Sequence, residues 1–106
     1  MKGTEKQITW AEDIKATAIN HCNNRINWEI EYRGSNETED AILYRIYRAA
    51  LVKTFDALDD AAKIIDKRNL YTTSTVDANV RQIKSLVAAG RMTIDQAAAK
   101  LGVTEY

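Results

Sequence analysis

The chain has 106 residues, with 15 basic and 15 acidic side chains, a formal net charge of zero, one cysteine, four glycines and no proline. That length suits a single domain with one core. The charge balance, which holds in each third of the chain, argues against both a basic protein that grips phosphates and an acidic imitator of DNA.

A lone cysteine excludes an intramolecular disulfide and fits a reducing cytoplasm. No stretch reaches the roughly 18 apolar residues of a membrane span, and the opening MKGTEKQ lacks the apolar core of a signal peptide. The sequence therefore reads as cytoplasmic, with no membrane partner. The absence of proline favours long helices, and the expected fold class is all-α.

Thr4-Glu5-Lys6-Gln7 has the spacing of a capping box, predicting a helix to about Arg33 with Gly34 as a left-handed terminator. Its expected buried row is Ile8, Ala11, Ile14, Ala18, Cys22, Ile26 and Ile30, flanked by Trp10 and Ile19, with Trp28 off the row. The run Asn20-His21-Cys22-Asn23-Asn24 is its weak point, because asparagine competes for backbone hydrogen bonds. A kink there is expected as one alternative.

Gly34-Ser35-Asn36 reads as a turn, and either Asn36 or Thr38 as the next cap. Residues 38–68 are the central stretch, without Gly or Pro. One apolar row is Tyr47, Leu51, Phe55, Leu58, Ala62 and Ile65; a second is Ile42, Ile46 and Ala49/Ala50. Two adjacent rows make a broad arc that needs cover from several sides. Three aspartates between Asp56 and Asp60 leave open whether the stretch is one helix or two. Ser74 is the expected cap of a third helix to Ala89, and Thr93-Ile94-Asp95-Gln96 the capping box of a short fourth. The expected architecture is a single domain: a long antiparallel helical hairpin (1–69) plus a short C-terminal helix pair (74–106). The breadth of the central arc makes a homodimer the favoured oligomer.

Few residues carry recognisable chemistry. Neighbours on a helix point about 100° apart, so His21 and Cys22 do not pair as nucleophile and base, and Cys22 reads as core. One His and one Cys are too few for a zinc site. Phosphate loops, Glu-x-x-His pairs and Ser elbows are missing. The expectation is a non-enzyme with no catalytic residues, metal or cofactor. Two polar groupings suggest partner contact. Asn20, Asn24 and Asn27 form an uncharged stripe, and Tyr44, Arg45 and Arg48 combine residue types enriched at interface hot spots. Arg45 and Arg48 have an alternative use in pairing with Glu37, Asp40 or acids on the first helix.

The pattern G-T-E-K-Q-I-x-W-A-E-x-I over the first 19 residues resembles the start of small uncharacterised proteins of bacteria and their phages. The resemblance implies a mobile-element setting, a class that includes inhibitors of bacterial defence. Residues 91–106, RMTIDQAAAKLGVTEY, resemble the second helix and turn of a helix-turn-helix, without a recognition helix after them. The expected function is a small protein-binding module that occludes an unknown protein partner, in the manner of a phage counter-defence, anti-CRISPR-like inhibitor. The alternatives are a nucleic-acid-binding regulator using the C-terminal pair, which the neutral charge disfavours, and a helical oligomer that sequesters a small nucleotide through Arg45 or Arg48.

Overall fold

A computed structural model describes all 106 residues. Five α-helices and one 3₁₀ turn make up the fold, with no strand: α1 (Glu5–Arg33), α2 (Glu39–Ala57), α3 (Ala61–Asp66), the turn Arg68–Leu70, α4 (Thr73–Ala88) and α5 (Ile94–Lys100). The fold is all-α, as the sequence leads one to expect. α1 and α2 form the hairpin.

The capping box at Thr4 forms in full. The Gln7 amide donates to the Thr4 hydroxyl at 3.2 Å, and the Thr4 amide to Gln7 Oε1 at 3.0 Å. Gly34, at φ 73, ends the helix and donates its N–H to the Ile30 carbonyl. α1 runs unbroken through the asparagines. Ala18, Cys22 and Ile26 pack into the main core on its other face, and tertiary packing of an amphipathic face outweighs the weak propensity of a few residues. Ile30 leaves the expected row and is 47% exposed, while Glu29 is buried. Successive four-residue steps each advance about 40° around a helix of 3.6 residues per turn, so Cys22, Ile26 and Ile30 rotate progressively out of the core.

The central stretch is two helices. α2 is capped by Thr38, whose hydroxyl accepts from the Ala41 amide at 3.2 Å, and it stops at Ala57. Asp60 takes an extended conformation and caps α3 by accepting from the Ala62 amide at 3.0 Å. The aspartates thus act as breaker and cap together. The N-terminal residues lock this break. Lys2 donates to the Asp59 carbonyl at 3.0 Å and accepts from the Ala61 amide at 2.8 Å, while the terminal amine meets Asp59 at 3.2 Å. α3 then turns Ala61 and Ile64 onto Ala11 of α1, forming a small second cluster.

Thr72 rather than Ser74 caps α4, accepting from the Thr75 amide at 3.2 Å. The Thr93–Gln96 capping box opens α5. α4 lays Val76 and Val80 on Leu43, Tyr44, Leu51 and Phe55 in the main core. α5 and Val103 cover the other row of α2, packing Ala98 and Val103 on Ile46. Residues after α5 do not continue as a helix; they fold back along α2. The broad arc of α2 is therefore covered from three sides within one chain, which removes the packing argument for a dimer.

Candidate functional site

Three helices deliver one side chain each to a single oxygen. His21 of α1 places Nε2 2.7 Å from Asp77 Oδ1 on α4, and the Tyr44 hydroxyl of α2 donates to that same oxygen at 2.5 Å. The His21 and Tyr44 rings meet edge to face with centroids 6.3 Å apart. Burial pushes the Asp77 carboxyl up, but the hydrogen bonds from Tyr44 and His21, with the charges of His21 and Arg25, more than offset it and hold the carboxyl below its ordinary value. Tyr44 moves the other way. Burial first, then the hydrogen bond and charge of Asp77, push its phenol up to about 12. The arrangement ties a histidine to a carboxylate, yet contains no nucleophile: the nearby Cys22 is fully buried, and burial raises its thiol to about 11.

One turn along α1 from His21, the guanidinium of Arg25 lies 5.7 Å from the Trp28 ring centroid and 5.5 Å from that of Tyr44. Its Nε is buried and has no hydrogen-bond acceptor. Arg25, Tyr44 and Asp77 line a cavity of about 300 Å³ together with Asp40, Val80, Arg81 and Lys84. Lys84 and Asp40 close one side as an ion pair at 2.7 Å. Beyond it, buried Glu29 contacts Arg33 Nε at 3.2 Å, without the alignment of a directed hydrogen bond.

The two tryptophans are exposed, Trp10 by 48% and Trp28 by 40%. They lie eighteen residues apart on one unbroken helix, about five full turns and 27 Å, so they project from the same edge of α1. Each carries arginine over its ring: Arg68 at 5.4 Å from Trp10, and Arg25 and Arg33 at 5.7 and 5.9 Å from Trp28. Trp28 also packs on Tyr32, with centroids 5.1 Å apart. The exposed asparagines Asn20, Asn24 and Asn27 run alongside that edge, turned from it by about 40–100°.

The candidate residues read from sequence fall into three places. Asn20, Asn24 and Asn27 do form a solvent-facing stripe. Tyr44 does not join a contact surface: it is 5% exposed, its ring is core and its hydroxyl is committed to Asp77. Arg45 and Arg48 point to different neighbours. Arg45 donates to Glu37 at 2.9 Å and to the Tyr106 carbonyl at 2.6 Å, holding the tail against α2. Arg48 donates to Asn23 of α1 at 2.7 Å. The pairing of Arg45 with Glu37 is the alternative that the sequence offered; the Arg48 partner is an amide rather than an acid. Trp10, Trp28, Arg25 and the His21–Asp77 pair lay outside the expected site. The signal for the tryptophans was their eighteen-residue interval, a whole number of helical turns. No local pattern links His21 to Asp77 across 56 positions.

Compared with family models, with curated proteins and with solved structures, the chain matches none of them.

Proposed function

We propose that this chain is a non-enzymatic protein-binding module whose contact face is the exposed side of α1, anchored at its two ends by Trp10 and Trp28. The observation that carries this reading is the pair of arginine-backed, exposed tryptophans on one edge of one unbroken helix. Trp, Tyr and Arg dominate interface hot spots because they desolvate a large area while retaining a polar edge.

The occupant is a different protein rather than a second copy. Beside the tryptophan edge the helix carries Asn20, Asn24 and Asn27, all exposed, whereas obligate homodimer interfaces resemble a core cut in half. The face mixes Arg25, Arg33 and Arg68 with Asp13 and Glu31, which supports a mixed polar partner over a nucleic-acid backbone. The opening sequence pattern supports a phage or mobile-element setting, where occluding a host defence protein is a task that a small binder can perform.

The test is affinity capture from bacterial lysate with wild type, Trp10→Ala, Trp28→Ala and a control on the opposite helix, Val52→Ala. Proteins retained by wild type and control but lost from both tryptophan variants support the reading. Equal retention by all four sinks it. Sedimentation of the same set identifies a second copy as occupant if wild type is a dimer and Trp28→Ala is not.

A further inference from the structure

We infer that the cavity between α1, α2 and α4 is a binding site for a compact oxyanion, the phosphate or carboxylate group of a small molecule held by Arg25 and Arg81. The site shares Arg25 with the contact face proposed for α1 and needs no partner protein.

The cations and acids of this cavity are unequally satisfied. Lys84 and Asp40 neutralise each other at 2.7 Å. Asp77 Oδ1 already accepts from Tyr44 and faces His21. Arg25 and Arg81 take part in none of the chain's ion pairs, and both line the cavity. Both acids have close polar partners, whereas neither guanidinium group belongs to an ion pair.

Arg25 is also prepared for one direction of approach. The Trp28 and Tyr44 rings lie near its guanidinium carbon at 5.7 and 5.5 Å, and its Nε–H is withdrawn from solvent without an acceptor. A guanidinium presents its donors in its own plane, as a fork that matches two oxygens of one carboxylate or phosphate. A buried donor left without an acceptor is uncommon, and this one meets an anion only if the Arg25 side chain shifts as the anion binds. Water can fill that role in a polar cavity, but the acid nearest Arg25, Asp77, is already shared by Tyr44 and His21, and water gives Arg81 no counter-ion. An oxyanion supplies acceptor and charge together. The cavity, about 300 Å³, is at the small end of ligand sites, which suits a single anionic group with a short organic portion rather than a dinucleotide.

The experiment follows the arginine Nε–H resonances of the full chain by NMR during titration with inorganic phosphate and, separately, sodium acetate, against sodium chloride at matched ionic strength. The expected result is a saturable shift of the Arg25 Nε–H with at least one probe, weakened fivefold or more in Arg81→Gln and unchanged in Arg91→Gln, an exposed arginine elsewhere. Saturation by phosphate alone identifies a phosphate ligand, and by acetate alone a carboxylate. The inference is overturned if neither probe gives saturation beyond that of chloride, or if Arg91→Gln weakens binding as much as Arg81→Gln. Arg25→Lys, which keeps the charge but removes the fork, is expected to bind as weakly as Arg81→Gln; wild-type affinity in that variant overturns the role of Arg25.

Discussion

The Tyr44 hydroxyl donates to Asp77 Oδ1 at 2.5 Å and so joins α2 to α4 through a bond between a buried tyrosine and a half-buried carboxylate. Each partner limits the other's chemistry: the tyrosine stays protonated to high pH, and the carboxylate stays ionised to low pH. Tyr44→Phe keeps the ring in the core and removes only the donor. A hydrogen bond to a charged acceptor contributes about 1.5–3 kcal/mol. Because His21 still faces the same oxygen, the lower part of that range is expected. Urea denaturation of the two proteins checks it; an unchanged midpoint would mean that water replaces the hydroxyl without loss.

Stability should decline on the alkaline side. Cys22 is raised from 9.0 to about 11 and Tyr44 from 10.0 to about 12. Between those values the unfolded chain releases protons that the folded chain retains, so the unfolding free energy falls as pH rises. The loss begins near pH 9 and continues towards 12, by roughly 2 kcal/mol or less for each group. Asp77 has the opposite sign. Its lowered value contributes stability above the ordinary carboxylate range, lost as pH falls through the folded value. Denaturation midpoints in Tyr44→Phe against wild type should converge between about pH 10 and 12, since the variant has no phenol to ionise there.

Gly3 has φ 138, and a Cβ there would stand 2.9 Å from Ala61 Cβ. Both the backbone conformation and the contact exclude a side chain, at the point where residues 2 and 60 bridge. Gly3→Ala should cost about 1–3 kcal/mol and raise hydrogen exchange at the Ala61 amide, which donates to Lys2. Gly34→Ala is a useful comparison, because nothing lies within 4 Å of its added Cβ and only its φ of 73 opposes the change. The smaller loss is expected there.

Local signals were legible in the chain and long-range ones were not. Both capping boxes and the Gly34 stop are encoded within four residues, and each formed where the spacing placed it. The aspartates before α3 left two outcomes open. The N-terminal segment secures the break by pairing Lys2 with residues 59 and 61, a contact that no local window contains. The two rows of the central stretch correctly announced a helix covered from several sides, but they did not say that α4 and α5 of the same chain would provide the cover. Tyr44 shows why burial was not legible from its neighbours. Read beside Arg45 and Arg48 it resembles a hot spot, yet on α2 it turns towards α1 and α4 and is buried among Cys22, Leu43 and Val80.

Arg45 and Arg48 give the last prediction, because their structural partners oppose a purely external role. Arg45 is 18% exposed in its side chain, and it bonds to Glu37, to the Asn36 carbonyl and to the Tyr106 carbonyl, with its guanidinium 5.8 Å from the Tyr106 ring centroid. Arg45→Glu would set one carboxylate against another and place a negative group beside two carbonyl oxygens. Hydrogen bonds between a charged group and its acceptors are worth about 1.5–3 kcal/mol when well formed, and exposed ion pairs about 1 kcal/mol or less. A loss of about 2 kcal/mol is therefore expected from Arg45→Glu. It should come with release of residues 104–106, whose last residue this side chain holds against α2. Arg48→Glu loses the donor to Asn23 and should loosen the contact between α1 and α2. Urea midpoints together with a hydrogen-exchange map decide the matter. Lowered midpoints and a freed tail show that these arginines hold the fold, whereas unchanged midpoints with lost partner capture would return them to the contact face.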